Sequence, residues 1–523
     1  VGGGTAGCVL AARLSENPAH SVALLEAGPD TRSFAMRAPA AIGALYESGQ
    51  YHWDYQSLDE PYANQKSLPY KLGRVLGGSS SINGMVYLRG HRADYDNWAN
   101  VGCEGWDWDS IAHHFDGFET IERDCDNTVK SDRITITDRN SGSSVLNQVF
   151  LDAATQAGFA YCDTLSATEP EGCAHLPRNT GGGERNDAYS AFLRPARNRT
   201  NLHVICDATA EKIVFDGRRA SSVNYRVGSS QETATATRDV ILSCGSLASP
   251  QLLQLSGIGD PNTLRKYGID LVHSLPGVGQ NLHTHPTIKF TWECLQPVSL
   301  YRYTRPPRRW LAGLQWLLSR RGPVASNHFE VGAFLRSNPM LQQPDLELTF
   351  LPLALDSLSS SIGGHGFQVY VELVGCQSRG STTIASANPR DKPQFRFNFL
   401  QDERDRLALR AAVDIVRNIV NQEAFDPYRG QEVTPGCAVN ADDDKDAWVR
   451  DIVSVSHHLV GSCKMGVQDD ESAVVTPNLR VRGIENLFVI DASIMPCVVS
   501  SNTHAAVLMI AEKGAEAIKS ASH

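Results

Sequence analysis

Apolar and polar positions along the 523-residue chain alternate between two kinds of element. Three short apolar runs read as buried strands of the parallel type: Ser21-Val22-Ala23-Leu24-Leu25-Glu26, Asp239-Val240-Ile241-Leu242-Ser243-Cys244-Gly245 and Asn486-Leu487-Phe488-Val489-Ile490-Asp491. Helical periodicity follows two of them, over 249–255 with Pro250 near its first turn and Gly257 beyond its end, and over 505–518. Between these regions the pattern changes. Phe367-Gln368-Val369-Tyr370-Val371-Glu372 and Ser381-Thr382-Thr383-Ile384 alternate as antiparallel strands do, and 404–420 is strongly helical. The fold class is therefore α/β within an α+β whole, a Rossmann-type domain interleaved with a domain of antiparallel sheet and helices. Residues 1–140, 190–285 and 466–523 are expected to form the nucleotide-binding domain, and 141–189 with 286–465 the substrate domain.

The first residues carry Gly2-x-Gly4-x-x-Gly7 and then an apolar helical pattern. Glycines there permit a tight turn, let the backbone approach a pyrophosphate and leave helix N–H groups free for the anion. Glu26, at the end of the next strand, is placed to accept ribose hydroxyls. The plainer reading is a glycine-rich turn with an exposed capping acid. The strand that should precede Gly2 is nearly absent, so the sequence is expected to begin inside the domain. Ser79-Ser80-Ser81-Ile82-Asn83, small and polar beside glycines, suits close passage along a cofactor.

Composition narrows the classes. Hydrophobic residues at 41% and charged residues at 20% describe a folded globular chain. A net charge of −10 argues against nucleic acid and against an anionic surface as general partners. The arginine-rich 301–310 stretch, around Pro306-Pro307, reads as a solvated loop. Twelve cysteines without a Cys-x-x-Cys pair suggest buried reduced thiols, and neither zinc nor a disulfide framework. With no transmembrane-length apolar run, a cytoplasmic protein, at most peripheral to a membrane, is expected.

Longer motifs carry a family resemblance. Gly73-Arg74-Val75-Leu76-Gly77-Gly78-Ser79-Ser80-Ser81-Ile82-Asn83-Gly84-Met85, Gly245-Ser246-Leu247-Ala248-Ser249-Pro250-Gln251 through Gly259, and Pro276-Gly277-Val278-Gly279-Gln280-Asn281-Leu282 follow the opening fingerprint in order and precede Asp491-Ala492-Ser493. The chain is similar to the glucose-methanol-choline oxidoreductases, and within them to choline-dehydrogenase-like alcohol dehydrogenases. The resemblance implies FAD, with Gly2, Gly4 and Gly7 at the pyrophosphate and Glu26 at the adenosine ribose. Gly78, Ser79, Asn83, Gly84 and Met85 would pass the flavin and ribityl chain, Ala210 would meet the adenine, and Asp491, Ala492 and Thr503 would close over the ring. Where some relatives bond their flavin to a histidine this chain has Ile82, so the FAD is expected to be non-covalent.

The same resemblance implies an alcohol substrate and hydride transfer to flavin N5, with oxygen or a quinone-like carrier taking the electrons. A base at the hydroxyl is required, and histidine suits neutral pH. The pattern His-x-x-Gly-Ser-x-x-Met-Gly settles on His458, and His504 in Ser501-Asn502-Thr503-His504 is its expected partner. His457 is read as structural, while His283, His285 and His365 have nothing to single them out. Glu330 invites comparison with a carboxylate that would hold a quaternary ammonium, though a structural acid is the plainer reading. Choline-type relatives usually carry Asn where this chain has His504, whereas relatives acting on neutral alcohols often have His, so the resemblance implies a primary alcohol, its pocket around 357–366 and Phe329. A hydroxynitrile-lyase-type or other non-redox FAD protein is the alternative.

Overall fold

The computed structural model describes residues 1–122, 132–138, 144–163, 165, 171–357 and 360–520. The β-branched and leucine-rich run Val22–Leu25 pairs in parallel with Leu202–Ile205, and Val240–Leu242 pairs in parallel with Leu487–Val489. Val1 and Gly2 lie between the two pairs. The Gly2 N–H donates to Leu25 O at 2.8 Å, and the Ser243 N–H donates to Val1 O at 2.8 Å. Thus the first two residues hold the position of a central strand.

Chain crossing here is too close for side chains. A Cβ on Gly7 would stand 1.8 Å from Gly2 O, and one on Gly78, at φ +54°, would stand 2.7 Å from Gly4 Cα. Helix Thr5–Leu14 therefore begins directly at the glycines, its N-terminus uncapped by any side chain. It packs on the C-terminal helix His504–Ser520, with Arg13 Nε donating to Glu512 at 2.9 Å.

The helix expected over 249–255 starts earlier, at Gly245, so Pro250 lies in its interior. Proline has no N–H to give the carbonyl four residues back. That carbonyl, Ser246 O, accepts the Ser462 hydroxyl at 2.6 Å instead. The helix keeps its regularity by borrowing a donor from the segment that carries His458.

The second body is a seven-stranded sheet. Its order runs Arg429–Thr434, Pro286–Cys294, Gly366–Leu373, Leu346–Leu351, Val331–Leu335 and Gly172–His175, with Ser454–Val455 also pairing Pro286–Cys294. All these pairings are antiparallel. Helix Glu403–Val420 buries Leu409, Ala412, Val413, Val416 and Val420 at helical spacing, and Asp402 caps its N-terminus.

One expected loop is not a loop. Within 301–310, Leu300–Tyr303 forms a 3₁₀ turn and Arg308 opens helix Arg308–Ser319. Buried Ala312 and Trp316 anchor this helix, the Trp316 indole donating to Gly183 O at 2.7 Å. Eleven of the twelve cysteines fall among the described residues, all as free thiols; Cys437 and Cys497 are exposed rather than buried.

Gly7→Ala should destabilise the protein by about 1–3 kcal/mol, because the added methyl meets backbone that cannot rotate away. Urea denaturation against wild type measures it, and an unchanged midpoint contradicts the packing described.

Candidate functional site

A cavity of about 860 Å³ runs between the parallel sheet and the seven-stranded sheet. Gly2, Gly4, Glu26, Gly78, Ser79, Asn83, Gly84, Met85, Ala210, Asp491, Ala492, Thr503, His458 and His504 all line it. Gly7 does not; it sits behind the wall and makes the crossing possible. Residues from the start, middle and end of the chain are brought to one surface.

The donor set suits a dinucleotide. Gly4, Thr5 and Ala6, at the uncapped helix start, border the cavity with N–H groups suited to a pyrophosphate. Glu26 is buried, accepting the Gly3 and Gly28 N–H groups at 2.8 and 2.7 Å. Burial pushes its carboxyl up to about 7 despite those donors. Asn83 is held by buried Arg185, whose Nη1 donates to its Oδ1 at 2.7 Å. Asp491 accepts from Gly245 N, Ser249 Oγ, Ser493 N and Ser493 Oγ at 2.9, 2.6, 2.8 and 2.5 Å. Its carboxylate therefore ties two elements together and presents backbone, rather than a free charge, to the cavity.

His458 is set from three directions. Its N–H donates to Thr284 Oγ1 at 3.0 Å, its Nδ1 lies 3.1 Å from His285 Nδ1 and 3.3 Å from Glu372 Oε2, and its Nε2 lies 3.1 Å from Asn502 Nδ2. Proton placement follows from the partners. His285 Nε2 is 3.1 Å from the Val499 carbonyl, which only accepts, so this nitrogen carries hydrogen and neutral His285 turns a lone pair toward His458. With that lone pair and a carboxylate oxygen facing it, His458 Nδ1 carries the proton. Asn502 can then donate to a lone pair on His458 Nε2.

Burial raises Glu372, but His458, 3.3 Å away, prevails and holds its carboxyl at about 2. Its cross-strand neighbour Glu347 moves the other way, pushed well up by burial and by the Glu372 charge. Of two opposed acids, one is ionised and one is neutral.

His504 heads the C-terminal helix; its buried Nε2 meets no protein partner, and burial lowers its imidazole to about 4. It reaches the cavity, yet the residue in hydrogen-bonding range of His458 Nε2 is Asn502. His457, at φ +68°, lies between the Tyr70 and Tyr46 rings at 4.9 and 5.7 Å. Ile82 packs with Met36, Leu45 and Val75 and also borders the cavity.

Several expectations need correction or addition. His285, Glu372 and Asn502 were not singled out by the sequence. Alternation over 367–372 marked an antiparallel strand without saying what its polar side meets; Tyr370 and Glu372, with Thr287, Lys289 and Thr349 from adjacent strands, form the cavity wall. His285, Glu372 and His458, which no sequence spacing brings together, converge from three separate segments. Phe329 lines the cavity as expected. From 357–366 no described residue does, though the neighbouring Asp356 does; positions 358 and 359 lie outside the described residues. Glu330 faces away from the cavity, buried against Asn147, at 2.9 Å, and Ser326.

Because Glu372 is held at about 2 from an ordinary value of 4.5, its ionised form contributes stability above pH 4.5 that disappears as pH falls through 2. Glu372→Gln should accordingly unfold more easily than wild type at neutral pH, with the gap narrowing in acid. Denaturation midpoints across a pH series test this, and a gap independent of pH contradicts it.

Comparison with known proteins agrees with this geometry. The GMC oxidoreductase family models match residues 1–287 and 376–511. An oxygen-dependent choline dehydrogenase of Brucella suis is 39% identical over 519 residues, covering 99% of this chain and 94% of the relative. One of Photobacterium profundum is 40% identical over 522 residues, covering 99% and 92%. Among solved structures, pyridoxine 4-oxidase from Mesorbium loti superposes with a TM-score of 0.88 at 29% identity, covering 100% of this chain and 98% of its own. An Aspergillus oryzae formate oxidase variant reaches 0.91 at 25% identity, covering 99% and 97%. With its glycine crossing, its cavity between two sheets and its matches over nearly the whole length, the chain belongs to the GMC oxidoreductase family.

Proposed function

We propose that this FAD-dependent oxidoreductase of CH–OH donors converts a neutral primary alcohol to its aldehyde, with His458 as base. The observation that carries the reading is the proton arrangement on His458: Nδ1 is engaged by Glu372 and His285, so the lone pair of Nε2 lies at the cavity wall. When bound along the glycine passage, FAD supplies the acceptor for the hydride leaving the carbinol carbon. Ile82 offers no nucleophile, which supports non-covalent FAD.

The chain's own residues handle the hydroxyl. His458 takes its proton at Nε2, and the charge gained faces the ionised Glu372 carboxylate. His504, kept neutral by burial and without a protein partner at Nε2, hydrogen-bonds the substrate oxygen. Asn502 releases Nε2 as the hydroxyl arrives. The name of the relatives supports oxygen as electron acceptor, with a quinone-like carrier as the alternative.

That name also supports choline as a second substrate reading. The placement of Glu330 outside the cavity favours a neutral alcohol. A non-redox lyase of the same fold predicts no change in the flavin at all.

Anaerobic mixing of holoenzyme with a panel of primary alcohols, choline included, should bleach the flavin absorbance with good substrates. An unchanged spectrum across the panel contradicts the redox reading, and bleaching by choline alone overturns the neutral substrate. Parallel assays of hydrogen peroxide and of an artificial acceptor identify where the electrons go. His458→Ala should lower kcat/KM by roughly 10² to 10⁴ while FAD content stays at the wild-type level. A wild-type rate in that variant removes His458 from the mechanism.

A further inference from the structure

Helix Arg308–Ser319 turns its apolar side outward. At about 100° per residue, Trp310, Leu311, Leu314, Leu317 and Leu318 share one arc of roughly a third of the circumference. All five are exposed, Trp310 at 67% and Leu318 at 80%. The opposite side holds buried Ala312 and Trp316, and Phe34 sets its ring edge-on to Trp316 at 5.0 Å. The helix is thus anchored by one face while its other face is apolar and uncovered, an arrangement that water disfavours.

Charge around the helix identifies the occupant. Residues 301–322 contain six arginines and no acid, in a chain whose net charge is −10. Arg308 and Arg309 stand in the first turn, where the helix macrodipole disfavours cations, so local helix stability does not account for them. Arg320 and Arg321 follow the C-terminal end, and Arg320 pairs with Glu184. A second copy is a poor fit: parallel or antiparallel apposition of two such helices brings arginine ends against arginine ends. A surface combining anionic headgroups with acyl chains satisfies both features. Among the described residues no helix is long and apolar enough to cross a membrane, so this one would lie on the surface.

We propose that Arg308–Ser319 is an interfacial docking helix for an anionic lipid bilayer, Trp310 and the leucines entering the acyl boundary and the flanking arginines meeting headgroups. The proposal is independent of which alcohol the cavity takes.

Holoenzyme sedimented with vesicles of phosphatidylglycerol and phosphatidylcholine should bind at least roughly tenfold more tightly than to phosphatidylcholine alone. Leu314→Gln with Leu318→Gln should weaken that binding by at least roughly tenfold, with turnover of a soluble acceptor unchanged. Arg308→Gln with Arg309→Gln should reduce its salt dependence. Light scattering on the lipid-free proteins supplies the second readout. Wild-type protein left in the supernatant with both vesicle types overturns the proposal. So does a concentration-dependent dimer that the leucine substitutions dissolve while vesicle binding is absent, since the face then belongs to a second copy.

Discussion

A carboxylate withdrawn from water needs compensation, and in this protein that requirement fixes the cluster around His458. Glu372 keeps little contact with solvent, and its charge is met instead by Nδ1 of the distant His458 at 3.3 Å. The compensation runs in both directions. Held against the carboxylate, His458 has one nitrogen committed and one left for chemistry. Glu347, placed opposite Glu372 on the next strand, avoids like-charge repulsion by keeping its proton.

The cofactor side of the cavity rests on a different constraint, the contact of backbone with backbone. Gly2, Gly7 and Gly78 stand where a methyl group would collide with main chain, and this lets the first helix, the 243–245 turn and the Gly78–Ser81 turn meet with almost nothing between them. The cavity then reaches the helix N-terminus. Asp491 fastens Gly245 and Ser249 to the turn that follows it. The Ser246 and Ser462 bond adds a second fastening next to Pro250. The helix from Gly245 and the segment that carries His458 are therefore parts of one hydrogen-bonded unit.

The Arg308–Ser319 helix obeys the same physics at the surface. Its inner face is fixed by aromatic packing and its outer face by nothing within the chain. Local rules conflict there, with cations at a helix N-terminus and leucines in water, which is where a function outside the folded monomer is to be sought.

Much of this was legible in residue order. Glycine spacing and an acid after a buried strand depend on local backbone requirements, which a linear sequence records directly, while the His-x-x-Gly register was read through the family resemblance. Together they brought Glu26, Asn83 and Asp491, and through the resemblance His458 and His504, into consideration, and all of these line one cavity. Glu372, His285 and Asn502 were hidden for a physical reason. Period-two alternation distinguishes apolar from polar faces but cannot say whether a polar face meets water or an internal cavity, and only the stacking of one sheet over the other decided that. Likewise, a helix with one apolar stripe implies a buried stripe; the tertiary packing instead buried Trp316 and left the leucines outside. Local chemistry is written in the sequence, whereas which distant groups share a proton is decided by the fold, because that depends on distances set by three segments at once.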